Sequence, residues 1–258
     1  MSNSLQNKVF ISTRPKGQSD ELKRLLAAEG ADLLEMPLIE IRKLQPGEQD
    51  KILLKNLEQF NWLIFTSPNG VRSFFSVLKE LEIHSLPKNI QIGVIGQKTR
   101  KTVESFAYQV AFINPGNTAE DFVPAFINEL QNIAEKPRVL LALGNLARTL
   151  IQDELKDFAE CTRVDVYETL APETTDMKAL ELIQNDAYEM LIFTSPSTII
   201  NFMKLTLNIP VENLRIACIG EITAREAEKQ GILPLVVAND ASSPGIVQSI
   251  KQSYSKKL

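Results

Sequence analysis

The sequence predicts an α/β protein built from two similar, flavodoxin-like parallel-sheet domains, and three observations predict it. Trp62-Leu-Ile-Phe-Thr-Ser-Pro-Asn-Gly70 returns as Met190-Leu-Ile-Phe-Thr-Ser-Pro-Ser-Thr198, an offset of 128 residues. Ile92-Gly-Val-Ile-Gly-Gln-Lys-Thr99 matches Ile216-Ala-Cys-Ile-Gly-Glu-Ile-Thr223 at an offset of 124. Short, almost wholly apolar β-rich runs alternate with segments of helical period, the pattern of parallel strands covered on both faces.

Taken in order, residues 8–13 read as a strand that stops at Arg14-Pro15. Residues 18–29 carry a helical face through Leu22, Leu25 and Leu26 and end at Gly30. Residues 32–37 form a second strand, and 38–43 continue extended. Residues 48–60 read as one helix. A strand at 62–65, a helix at 68–81, a strand at 90–95, a helix at 97–107, a strand at 110–113 and a helix at 118–133 follow. Next come a strand at 138–143, a helix at 146–158, an extended run at 162–169 and a helix at 176–185. The chain closes with strands at 190–193, 215–219 and 233–237, each followed by a helix, at 196–205, 221–230 and 244–253.

The repeat bears on how the domains are cut. The run at 8–14 resembles that at 138–144, at an offset of 130 residues. A tandem division would fall near residue 135. A second division is also open. The extended pieces 36–43 and 163–169 have no helix of their own and can pair as a ribbon through which the chain leaves one domain and later returns. The first domain is then 1–37 with 171–258, the second 42–165, and 38–41 with 166–170 form a two-stranded linker. Pro37 and Pro172 punctuate both crossings. The cleft between two such domains is the expected ligand site.

Composition narrows the function. The 258 residues suit two domains that each bury a core. A net charge of −4, with no Lys/Arg run interleaved with aromatics, argues against a nucleic-acid partner. No apolar run approaches 18 residues, which argues against a membrane span, and the first residues lack an apolar signal core, so a cytoplasmic protein is expected. Cys161 and Cys218 read as small packed residues rather than a disulfide. His84, the single histidine, reads as an exposed loop residue. One His and two separated Cys make no soft-metal site, while a carboxylate-only magnesium site stays open.

Chemistry concentrates at the strand ends. Ser67-Pro68 and Ser195-Pro196 carry the signature of a capped helix start, with Pro in the first turn. Serine hydroxyls and free N–H groups at such a start also bind anionic oxygens. Gly96 and Gly220 turn the chain ahead of Thr99 and Thr223. Neither motif is a phosphate loop or a dinucleotide fingerprint. Gly116 to Asp121 and Asp240 to Gly245 are hydroxyl-rich helix starts. Gly144-Asn145 and Arg14-Pro15 complete the set.

Thr13-Arg-Pro, the two Phe-Thr-Ser-Pro runs, the two Ile-Gly-x-x-Thr runs, Ser242-Ser-Pro-Gly245 and Val166-Tyr-Glu-Thr169 occur in an order that resembles the uroporphyrinogen-III synthase family over essentially the whole chain. The resemblance implies two α/β domains joined by a two-stranded ribbon, the first built from both chain ends. It implies cyclisation of hydroxymethylbilane to uroporphyrinogen III, with loss of water and inversion of the last pyrrole through a spirocyclic pyrrolenine. It implies a lyase of porphyrin and haem biosynthesis that needs no metal or organic cofactor and acts as a monomer. By the same resemblance Tyr167 is the acid beside the leaving hydroxyl, or a group that orients water there. Arg14, Ser67, Asn69, Ser195, Thr223 and Thr99 bind substrate. Asn69 stands where some relatives have a basic residue, so Arg72 and Lys98 are the candidates to replace that contact. The alternative reading is a non-catalytic two-domain protein that closes on an anionic ligand. A phosphosugar or nucleotide enzyme would need a phosphate loop that the sequence lacks.

Overall fold

The computed structural model describes residues 5–114, 116, 118–130, 135–205 and 209–255. The chain begins with β1 (Val9–Ser12), α1 (Asp20–Ala28), β2 (Asp32–Glu35), β3 (Glu40–Lys43) and α2 (Glu48–Leu54). It continues through β4 (Trp62–Phe65), α3 (Pro68–Glu80), β5 (Gln91–Val94), α4 (Gln97–Ser105), β6 (Phe112–Ile113), α5 (Ala119–Leu130), β7 (Arg138–Gly144) and α6 (Leu150–Leu155). The last stretch is β8 (Glu160–Leu170), α7 (Met177–Gln184), β9 (Met190–Phe193), α8 (Pro196–Met203), β10 (Ile216–Cys218), α9 (Glu221–Lys229), β11 (Val236–Val237) and α10 (Ser243–Ser255).

These elements form two compact units, residues 1–40 with 170–258 and residues 41–169. The division is not tandem, since residue 135 lies inside the second unit. Residues 166–169 belong to β8, which pairs with β3 at the edge of the second unit's sheet. The first unit holds a five-stranded sheet in the order β11-β10-β9-β1-β2. All of its pairings are parallel. Counted along the chain, that is the 2-1-3-4-5 order of flavodoxin-like folds. The second unit holds a six-stranded sheet, β3-β8-β7-β4-β5-β6. Its five strands β8-β7-β4-β5-β6 correspond one for one to β2-β1-β9-β10-β11, with the chain entering at a different point.

Strand alternation sorts the cores. In the second unit Leu63, Phe65, Ile92, Val94, Leu140 and Ala142 face α3 and α4, while Trp62, Ile64, Val139, Leu141 and Leu143 face α5 and α6. In the first unit Ile11, Leu191, Phe193 and Ile216 face α7, α8 and α9, while Phe10, Ile192 and Ala217 face α1 and α10. With both faces covered, successive residues are all buried, which is why the strands read as unbroken apolar runs. The repeat extends to side-chain geometry. Phe65 meets Phe74 edge-on at 5.4 Å and 76°, and Phe193 meets Phe202 at 5.4 Å and 79°.

Several elements differ from expectation, among them the strand expected over 233–237, which covers only Val236–Val237. The helix expected over 48–60 stops at Leu54, and after a break at Asn56 a short 3-10 turn covers Leu57–Gln59. The helix expected over 146–158 covers only Leu150–Leu155, because the backbone of residues 144–147 is committed to β8 and Arg163 instead. The strand expected over 110–113 shrinks to Phe112–Ile113. Residues 131–133 of the helix expected over 118–133 lie outside the described residues. His84 is exposed in a loop, Cys218 is buried in β10, and Cys161 is half-buried in β8. Among the described residues no helix is long and apolar enough to cross a membrane.

A polar network ties the amino ends of β1, β9 and β10 to α10. Glu189 accepts from Lys8 Nζ at 2.8 Å and from the Tyr254 hydroxyl, while Arg215 Nε donates to the Glu189 carbonyl at 3.0 Å. Burial alone would raise the Glu189 carboxyl. The hydrogen bonds from Lys8 and Tyr254 and the charges of Lys8 and Arg215 together outweigh it and hold the group below its ordinary value. A carboxyl depressed in the folded state stabilises it above the unfolded value of 4.5, and that stability is lost as pH falls through the lower folded value. Acid titrations followed by circular dichroism should therefore show wild type losing stability faster than Glu189→Gln once pH drops below 4.5. Parallel acid curves would remove Glu189 from the account.

Candidate functional site

The polar residues singled out in the sequence lie at or just beyond strand carboxyl ends in each unit. In the second unit the chain runs from β4 to β5 and β6, then returns to place β7 beside β4 on the other side. The β4–β7 boundary is thus a topological switch point, where strand-end loops part and open α/β sheets bind ligands. Ser67 follows β4 and Gly144 ends β7. Ser67 has the extended conformation of an N-cap, with Pro68 in the first turn of α3. The Gly70 N–H donates to Ser67 Oγ at 3.1 Å, and Ser67 Oγ lies 3.1 Å from the Tyr167 hydroxyl. Both side chains are half-buried.

Two glycines make room for the tyrosine. A Cβ at Gly144 would lie 2.4 Å from Tyr167 Cζ and 2.6 Å from Cε2. A Cβ at Gly70 would lie 3.0 Å from the Ala142 carbonyl oxygen and 3.8 Å from Tyr167 Cε1. Only hydrogens at these positions let α3 approach β7 and let the phenol ring lie against the end of the sheet.

Tyr167 reaches that position through a bulge. Along β7 and β8 the register runs regularly to Leu143 opposite Asp165, then shifts to Gly144 opposite Tyr167. Val166 is the extra residue. Val164 and Val166 are buried against the α3 and α4 side, and strict alternation would send Tyr167 to the other face. After the shift its ring packs against the same cluster as Val164 and Val166. Bulges beside sites re-aim side chains in this way. Behind the bulge Asn145 N–H donates to the Tyr167 carbonyl at 3.0 Å, and Asn145 Oδ1 accepts from Thr169 N–H at 3.0 Å.

In the first unit the switch point lies between β1 and β9. Thr13 Oγ1 donates across it to the Ile192 carbonyl at 3.0 Å. Arg14 Nη1 donates to Ser243 Oγ at 3.0 Å and to the Gln18 carbonyl at 3.4 Å, joining the end of β1 to the start of α10. Burial lowers the Arg14 guanidinium from its ordinary value and Glu21 opposes that in part, though an arginine keeps its charge throughout the working pH range. Ser195 holds the N-cap position of α8 but its side chain does not cap the helix. Its hydroxyl pairs with Ser197 Oγ at 3.0 Å. The capping role expected equally for Ser67 and Ser195 is therefore exercised by Ser67 alone, because the second copy carries a competing hydroxyl where the first has Asn69.

Thr99 and Thr223 are buried in the first turns of α4 and α9, 2% and 3% exposed. Asn69 Oδ1 accepts from Arg72 Nη2 at 3.0 Å, so those two already share a contact on the first turns of α3. Of the hydroxyl-rich helix starts, Thr118 accepts from the Asp121 N–H at 3.2 Å, and Ser242 accepts from the Gly245 N–H at 3.1 Å. Asn117 of that first motif lies outside the described residues. No group of three or more His, Cys, Asp or Glu side chains among the described residues is placed to hold a metal ion. Sequence reasoning missed Arg163. Its signal was the spacing to Asp165, two residues on along one strand and so on the same face.

The comparisons agree with one another. The family model for uroporphyrinogen-III synthase HemD matches residues 20–248. A Methanocaldococcus jannaschii relative that carries this synthase name provisionally is 34% identical over 234 residues, spanning 88% of this chain and 91% of that protein. The uroporphyrinogen-III synthase of Chlorobaculum parvum is 27% identical over 256 residues, covering 95% and 99%. The crystal structure of uroporphyrinogen-III synthetase from Helicobacter pylori superposes with a TM-score of 0.63 at 21% identity, covering 95% of this chain and 99% of that one, and so shares the fold.

Proposed function

We propose, because this chain belongs to the uroporphyrinogen-III synthase family, that it cyclises hydroxymethylbilane to uroporphyrinogen III as a cofactor-free lyase, with Tyr167 and Ser67 at the reacting carbon. The observation that carries the assignment of residues is the hydroxyl pair, Ser67 Oγ to Tyr167 OH at 3.1 Å, at the β4–β7 switch point. The comparisons do not favour a non-catalytic binding protein.

The chemistry asks little of the protein and asks it in one place. The C–O bond of the hydroxymethyl group breaks, pushed by the adjacent pyrrole nitrogen, and the oxygen leaves as water with the Tyr167 proton. The azafulvene cation that remains is held by the pyrrole itself. The substituted α-carbon of the last pyrrole attacks the cation's methylene to form the spirocyclic pyrrolenine. The bond from this carbon to its old bridging methylene breaks, and that methylene rejoins the ring at its free α-carbon, so that the last ring inverts and the proton lost there balances the one donated. Ser67, itself held by the Gly70 N–H, fixes the phenol hydroxyl in a defined direction. Positioning of this kind supplies much of the acceleration when the intermediate is intrinsically accessible.

The substrate carries two carboxylates on each of four pyrroles, whereas the protein's net charge is −4. Local donors must therefore hold it. The starts of α3, α4, α8 and α9 offer N–H groups and positive dipole ends, with Ser195, Asn69, Thr99, Thr223 and Arg14 as side-chain contributors. The buried threonines would act after a first-turn adjustment.

The test is a product assay. Hydroxymethylbilane is supplied, the products are oxidised, and the porphyrin isomers are separated. Isomer III in excess is the expected result. Isomer I alone, at the rate without protein, would refute the assignment.

A further inference from the structure

The guanidinium of Arg163 lies on the opposite side of the β7–β8 pair from the tyrosine, and it is spent almost wholly on the backbone that backs the phenol. Arg163 Nη1 donates to the Ala147 carbonyl at 2.9 Å. Nη2 donates to the Gly144 carbonyl at 3.0 Å and to the Asn145 carbonyl at 3.4 Å. Nε donates to Asp165 Oδ1 at 2.7 Å. Its side chain is 19% exposed.

From this geometry we infer that Arg163 is a positioning residue for Tyr167, acting through Gly144. The inference rests on the reading of Tyr167 above. Residues 145–147 follow the end of β7 at Gly144 and do not enter a helix until Leu150, so the carbonyls here lack helical partners, and the Gly144 carbonyl combines the Arg163 bond with a turn bond from the Ala147 N–H at 2.9 Å. A planar fork with five donors can serve three carbonyls and one carboxylate at once, which an ammonium cannot. Held so, Gly144 presents its bare Cα to the phenol ring, where any side chain would overlap it. Asp165 stands opposite Leu143, the last regular position before the bulge, so the Arg163–Asp165 pair braces the step at which the register shifts. The loop, the bulge and the ring direction are one mechanical unit. Loosening the guanidinium frees Gly144 and lets the phenol leave Ser67.

The test is a double-mutant cycle read in kcat and KM with hydroxymethylbilane. Arg163→Ala should lower kcat about tenfold and leave KM nearly unchanged, and the same substitution in a Tyr167→Phe background should change kcat by less than about twofold. Arg163→Lys should recover only part of the loss. Equal losses in both backgrounds would overturn the inference while leaving Tyr167 its role. A silent Tyr167→Phe single variant would instead remove the tyrosine and the inference together. If Arg163→Ala does not fold, Arg163→Lys decides the matter: a lowered kcat with KM unchanged that disappears in the Tyr167→Phe background supports the inference, and a full kcat, or an equal loss in both backgrounds, overturns it.

Discussion

Tyr167→Phe should lower kcat tenfold or more while the protein stays folded. The substitution removes one oxygen. The ring that remains still fills the space against Gly144 and still packs against the core of the second unit. Ser67 keeps the Gly70 N–H, so α3 keeps its cap. The hydrogen bond lost is a half-buried hydroxyl pair, worth about 1 kcal/mol of stability. The kinetic cost is larger because, among the described residues, no other side-chain hydroxyl hydrogen-bonds Ser67, and a positioned acid contributes about a hundredfold to ten-thousandfold, of which water in its place restores a part. The split between the two readouts is the informative part. A steep loss of kcat with an unfolding midpoint near that of wild type assigns the oxygen to chemistry. Unchanged turnover removes Tyr167 from the mechanism, although family membership would stand.

Phe65→Ala should cost about 3–5 kcal/mol of stability, the range for a large-to-small change in a rigid core. Phe65 is fully buried on β4, which lies between β7 and β5 in the middle of the six-stranded sheet. Phe74 packs edge-on against it at 5.4 Å, and Phe75 lies 6.2 Å away. The walls of the resulting cavity are hydrogen-bonded strands and one helix, none of which can collapse inward without breaking register. Such aromatic pairs add about 0.5–1.5 kcal/mol beyond the area they bury. The repeat supplies a control. Phe193 occupies the matching place in the first unit, fully buried and edge-on to Phe202, so Phe193→Ala should cost a similar amount. Urea unfolding gives both values. A loss below about 1 kcal/mol at Phe65 would mean that the site repacks, contrary to the density expected of such interiors.

Much of this was legible in the sequence for a plain reason. A strand buried on both faces must be apolar at every position, so Leu63 to Phe65 and Leu191 to Phe193 announced themselves and their repetition announced a second copy. Pro after Ser marked the starts of α3 and α8, because proline costs nothing where the N–H is unsatisfied anyway. The site was legible in part. Ser67, Tyr167 and Gly144 could be named from motif order. That Ser67 caps and Ser195 does not could not be read from two identical Phe-Thr-Ser-Pro runs, since the difference lies in Ser197, whose hydroxyl reaches Ser195 only once α8 has formed. The short α6 was hidden as well. Residues 146–149 have helical composition, but Arg163, more than a dozen residues later, claims the Ala147 carbonyl.

By itself, then, the sequence determined the alternation of strand and helix, the two copies, and which residues stand at strand carboxyl ends. Those properties follow from local periodicity and from the chemistry of proline, glycine and hydroxyl side chains at helix starts. Only the tertiary structure decided that β7 returns beside β4, so that a serine from one and a glycine from the other share a switch point. Only the tertiary structure decided that a one-residue shift opposite Leu143 and Gly144 turns Tyr167 toward Ser67. Strand pairing and register are settled between segments far apart in the chain, where no local pattern carries the information.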